Sequence, residues 1–146
     1  MIASDGNGLS AAASTSGWLY KHPGRVGDAP IIGPGLYVDS RFGGACCTHT
    51  GEMSMRSGTA RFVVAQMEAG KSVDAAVRAA IEDLSHLRGR LLRALVIHAV
   101  DREGKAHVAA VNAEAPVFYQ YWNEDLNQPD CCAAEIVSLT GPKSIR

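Results

Sequence analysis

Two helix-like patterns stand back to back near the middle of the chain, with strand-like runs on both sides of them, and this order constrains the fold more than anything else in the sequence. Met55, Phe62, Val63 and Met67 recur at helical spacing between Ser54 and Ala69, and Gly70 supplies a stop. A second helix follows at once. Ser72 is a credible cap, Asp74 suits the positive end of the macrodipole, and Val73, Ala76, Val77, Ala80, Ile81 and Leu84 trace one apolar face. Leu95–Val100 and Ala106–Val111 flank Asp101-Arg102-Glu103-Gly104-Lys105 as the arms of a hairpin, and Val117–Trp122 reads as a further strand. Upstream, Asp5-Gly6-Asn7-Gly8 precedes a short apolar run at 9–13 as in half a hairpin. Gly43–Thr48 is small and apolar, as in a buried strand closely approached by another element. Strands, two helices, then strands make an α+β layered fold rather than a βαβ alternation.

Between Gly17 and Gly35 the chain holds three of its six prolines and five glycines, too punctuated for a regular element. It reads as one long ordered loop of the kind that usually carries function. The tail from Asn123 is polar at first and irregular near Gly141-Pro142, and its last residues, 141–146, are expected to be poorly ordered.

At 146 residues, with 47% hydrophobic and 20% charged, the chain has the make-up of one globular domain, here taken as residues 1–140. A formal charge of −1 gives no field for a phosphate backbone or an anionic membrane surface. No apolar run approaches the roughly 20 residues of a bilayer span. Neither Cys46-Cys47 nor Cys131-Cys132 has the spacing of a zinc site or the geometry of a mutual disulfide, so no metal and no cofactor are expected. The amino end lacks the basic and apolar regions of an export signal, which leaves the compartment open.

Three clusters could carry chemistry: Ser14-Thr15-Ser16-Gly17, Gly24-Arg25-Val26-Gly27-Asp28, and Cys47-Thr48-His49-Thr50-Gly51-Glu52. Arg25 and Asp28 sit in a glycine-bracketed turn. They could grip the carboxylate and the ammonium of an α-amino acid, or simply pair with each other to staple the loop. The hydroxyls of Thr15, Thr48 and Thr50 could support a nucleophile or an oxyanion, or cap strand ends. His86, His98 and His107 fall on regular elements and read as structural.

Together these clusters resemble the β-subunit of the N-terminal-nucleophile asparaginases, the family of glycosylasparaginase and plant-type asparaginase/isoaspartyl peptidase. The resemblance runs from Asp5 to about Pro129. Ser14-Thr15-Ser16-Gly17 stands where the family has Ser-Thr-x-Gly, and the run from His22 to Gly35 matches its Pro-Gly-Arg-Val-Gly-Asp-Ser-Pro-x-x-Gly-x-Gly. Residues 47–52 are similar to Cys-Thr-Gly-Thr-Gly-Glu of bacterial members. Trp18 and Asn127-Gln128-Pro129 lean toward glycosylasparaginase.

The resemblance implies an αββα sandwich and a hydrolase that cuts itself ahead of a threonine, leaving α and β chains that share one site, in an (αβ)2 assembly. The new terminal Thr is then the nucleophile, its own α-amine acting as base. It also implies that Thr15 supports that nucleophile, that Arg25 holds the substrate α-carboxylate and Asp28 the α-ammonium, and that Thr48 and the N–H of His49 serve the oxyanion. Gly51 stands with them on the substrate side. His49 replaces a family glycine, which costs roughly 1 kcal/mol or more if the position is left-handed.

By the family pattern the nucleophile falls a few residues before Met1, so the first strand is expected to be truncated and the chain alone inactive. The alternatives are an isoaspartyl peptidase or asparaginase in place of the glycosylated-asparagine hydrolase, a non-catalytic amino-acid-binding subunit, and a fragment that aggregates when expressed alone.

Overall fold

A computed structural model of the chain describes residues 1–89 and 92–139. It is a mixed α/β fold with a central five-stranded sheet. In chain order the elements are β1 (Ile2–Ser4), β2 (Leu9–Ala11), β3 (Leu36–Asp39), β4 (Gly43–His49), α1 (Gly51–Ser57), α2 (Thr59–Glu68), α3 (Val73–Ser85), β5 (Leu95–Asp101), β6 (Ala106–Val111), β7 (Phe118–Tyr121), β8 (Asp130–Ala133) and β9 (Glu135–Val137). The main sheet runs β3-β4-β5-β6-β9, antiparallel except for the parallel β6–β9 pair. β1–β2 and β7–β8 form two separate antiparallel hairpins.

Side chains alternate across the sheet and so divide the interior in two. Ala45, Cys47, Leu95, Ile97, Ala99, Ala109 and Val111 join Met53, Val63, Val77 and Leu84 in the larger core under the helices. On the opposite face Val96, Val108 and Ala110 pack against Val117, Tyr119 and Ala134, beneath the β7–β8 hairpin. The β1–β2 hairpin lies over β3 and β4, and Ser40 Oγ accepts from the Leu9 N–H at 2.9 Å to fasten it there.

Gly43 and Gly44 are what let both layers close on β4. A Cβ at Gly43 would fall 2.6 Å from Met67 Cε on the helix side, and one at Gly44 would fall 3.2 Å from Ile2 Cγ2 on the hairpin side. The small residues of this strand therefore mark close approach, as their composition implies.

The opening hairpin, the second helix and the β5–β6 hairpin form as the sequence predicts. In the last, Asp101 Oδ1 accepts the N–H groups of Glu103 and Lys105 at 3.1 and 2.9 Å, and Gly104 takes φ 88°. The single helix expected over Ser54–Ala69 is in fact two. It begins earlier, at Gly51, and breaks at Gly58, whose φ of 62° ends α1 and starts α2. Ser72 occupies the N-cap of α3 with extended backbone, but its side chain caps no backbone N–H. Three strands were not expected: β3, β8 and β9, the last two in the tail beyond Asn123. The tail at 141–146 lies outside the described residues. Among the described residues no helix is long and apolar enough to cross a membrane.

Candidate active site

The long loop between β2 and β3 folds back against the end of β4 and the start of α1, and encloses a hollow of about 420 Å³. Thr15, Trp18, Lys21, Arg25, Asp28 and His49 all line it. Two cations and one buried carboxylate thus face a single space, a charge pattern suited to a ligand with more negative than positive groups. Thr48 and Gly51 are not in its wall. Thr48 is exposed beside it, its Oγ1 3.2 Å from His49 Nδ1, and Gly51 lies buried behind Asp28.

Arg25 and Asp28 are not each other's partners; each is anchored separately on α1. Arg25 Nε and Nη2 both donate to Glu52 Oε1, at 2.8 and 2.7 Å, so one edge of the guanidinium is occupied and the Nη1 side is left for another acceptor. Glu52 Oε2 is buried without a hydrogen-bond partner among the described residues. Asp28 is only 8% exposed, and its Oδ2 accepts from the Ser54 hydroxyl at 2.5 Å. A buried carboxylate held by one hydroxyl retains free lone pairs, and an ammonium is the natural donor to fill them.

Gly51 is required by this packing. A Cβ there would lie 2.6 Å from Asp28 Oδ1 and 2.7 Å from the Asp28 N. Gly35 approaches the same residue from the other side, where a Cβ would fall 2.1 Å from the Asp28 carbonyl oxygen. Two glycines 16 positions apart in sequence therefore pack on one aspartate, Gly51 against its carboxylate and Gly35 against its backbone.

The register of the opening hairpin brings Thr15 toward the same hollow. β1 and β2 pair as Ile2↔Ala11 and Ser4↔Leu9, and Met1 and Ala12 exchange backbone hydrogen bonds at 2.9 and 3.0 Å. Thr15 Oγ1 accepts the Gly17 N–H at 2.9 Å, which turns the chain into the loop.

His49 adopts φ 80°, the left-handed region that favours glycine. His49→Gly should therefore stabilise the protein by about 0.5–1 kcal/mol, after allowing for the extra entropy glycine has when unfolded. Urea denaturation checks this, and an unchanged or lower midpoint would show that the backbone is not strained there.

Sequence reasoning missed Glu52 as the partner of Arg25 and Ser54 as the partner of Asp28. Glu52 stood inside a motif already singled out, whereas Ser54 gave no signal beyond marking the start of a helix.

The family model described as Asparaginase matches residues 1–128. The chain is 44% identical over 91 residues to an N(4)-(beta-N-acetylglucosaminyl)-L-asparaginase of Elizabethkingia miricola, covering 62% of this chain and 27% of that protein. It is 39% identical over 116 residues to an isoaspartyl peptidase of Salmonella typhimurium, covering 78% and 35%. To an isoaspartyl peptidase/L-asparaginase of Bos taurus it is 34% identical over 108 residues, covering 74% and 34%. The chain thus spans about a third or less of the length of these relatives.

Proposed function

Since the chain belongs to the asparaginase family matched along residues 1–128, we propose that it is the β-subunit part of an amidohydrolase that cleaves the side-chain amide of asparagine or of its glycosylated form. The observation that carries this reading is the single hollow lined by a half-free guanidinium, a buried, partly unsatisfied carboxylate and Thr15. Those are the groups needed to hold both charged ends of an α-amino acid and leave its side chain pointing elsewhere.

In this reading Arg25 Nη1 takes the α-carboxylate, Asp28 takes the α-ammonium with Gly51 giving it room, and Thr48 and the His49 N–H face the oxyanion. Attack comes from a threonine on a segment that continues β1 upstream. The hairpin register supports this: Met1 pairs with Ala12, so an upstream continuation of β1 would run alongside the segment that leads to Thr15. The threonine hydroxyl adds to the side-chain amide carbon while its α-amine takes the proton. That proton passes to the amide nitrogen as the C–N bond breaks, ammonia or the amino sugar leaves, and water hydrolyses the resulting β-aspartyl ester to aspartate and the free threonine. Without that threonine the chain binds but does not turn over.

The layered arrangement of helices, sheet and two hairpins supports an αββα sandwich whose second sheet is completed by an α-subunit. Exposed Leu19, Tyr20 and Ile32 offer apolar surface for that partner or for a second αβ pair.

Calorimetry with aspartate tests the clamp. The chain should take up one aspartate and Asp28→Asn should not, because the amide cannot balance the ammonium charge. No heat from the unaltered chain would defeat the reading. Catalysis is tested by expressing the chain with its upstream reading frame and assaying ammonia from asparagine and amino sugar from its glycosylated form. Release of neither removes the amidohydrolase assignment.

A further inference from the structure

We propose that Trp18 is a positioning residue that holds the carboxylate-binding arm and the strained backbone beside it in one rigid unit. The proposal rests on the clamp reading of Arg25 above. The Arg25 Cζ stands 4.8 Å from the centre of the Trp18 ring, within cation–π range. The same indole donates its Nε1–H to the His49 carbonyl at 3.2 Å. One side chain therefore touches both halves of the site, the loop that carries the guanidinium and the strand end in the left-handed conformation.

The two restraints on Arg25 are complementary. Glu52 holds the guanidinium by its Nε and Nη2 edge, and Trp18 by stacking. An arginine fixed in both ways presents Nη1 in one orientation before any ligand arrives, which removes the rotamer freedom that binding would otherwise have to quench. At His49 the indole N–H satisfies a carbonyl whose orientation follows from the φ of 80°. A second guanidinium, Arg93, lies 5.6 Å from the ring centre, so the indole is in cation–π range of two arginines. Among the described residues that line the hollow, Trp18 is the only Phe, Tyr or Trp.

The test compares Trp18→Leu and Trp18→Phe in the full chain, titrated with aspartate and with β-alanine, which keeps the ammonium and the distal carboxylate but has no α-carboxylate. Trp18→Leu should weaken aspartate about tenfold and leave β-alanine within about twofold. General damage to the fold would weaken both alike and overturn the proposal. Trp18→Phe keeps a ring under Arg25 and loses only the N–H. It should hold aspartate within about threefold while shifting the Thr50 amide resonance, which adjoins the His49 carbonyl.

A ligand-free measurement separates this proposal from the clamp. The Arg25 Nε–H should exchange with water several-fold faster in Trp18→Leu than in the unaltered chain, and at the original rate in Trp18→Phe. If the unaltered chain binds no aspartate, the clamp reading fails, and the exchange rates still decide the role of Trp18. Equal rates in all three proteins would refute it.

Discussion

Replacing Arg25 by alanine should abolish aspartate binding, a loss of at least about 100-fold, because the charge-assisted bond to the α-carboxylate disappears with nothing to replace it. The same change strands Glu52, whose Oε1 accepts both Arg25 bonds and whose Oε2 already has no partner. An unpaired, largely enclosed carboxylate costs on the order of 2 kcal/mol of stability. Adding Glu52→Gln to Arg25→Ala should recover much of that stability and none of the binding, which separates the two roles. Arg25→Lys should not rescue either, since one ammonium cannot bond Glu52 along an edge, stack on Trp18 and present a free N–H together. Denaturant unfolding and calorimetry on the four proteins check these outcomes. Retention of aspartate binding by Arg25→Ala would mean that the guanidinium belongs only to the loop.

The second large effect concerns pH. His98 lies on β5 opposite Cys46 on β4, with its ring edge-on to Tyr119 at 6.4 Å between centroids. Burial first, and then the positive charges of the Met1 amine and His49, push its pKa down from 6.5 to about 4. Unfolded chains take up this proton as pH falls through about 6.5, while the folded protein refuses it until about 4. Stability from this group is therefore full above pH 6.5, declines through that window and is flat below it. The loss between pH 7.5 and pH 4.5 should reach roughly 2–3 kcal/mol. A His98→Gln variant should lose less stability over the same interval by that amount. Identical losses in the two proteins, measured by urea unfolding, would show that His98 keeps an ordinary pKa.

What was legible in the sequence follows a physical line. Elements whose stability is written locally were readable: the apolar face of α3, and the β5–β6 turn with Gly104 at its positive φ. The break at Gly58 was hidden because the apolar spacing runs through it, and only the packing of α2 against the sheet requires the chain to change direction there. β9 was unreadable for a different reason: Glu135-Ile136-Val137 is a strand because β6 offers it a parallel edge, and nothing local says so. The site divides in the same way. Thr15, Arg25, Asp28 and His49 were named from motifs and do converge on one hollow, whereas Glu52 and Ser54 act across 27 and 26 residues of chain and depend on the fold to meet their partners.

The anchoring of the loop on α1 has a thermodynamic consequence. A connection as long as the one from Ala12 to Gly35 would ordinarily surrender much of its conformational freedom at the moment it closed on a small molecule, and the affinity would be taxed accordingly. Here Glu52 and Ser54, both on the first turn of one short helix, have already immobilised the two residues that matter, so that entropy is given up when the chain folds and not when the guest arrives.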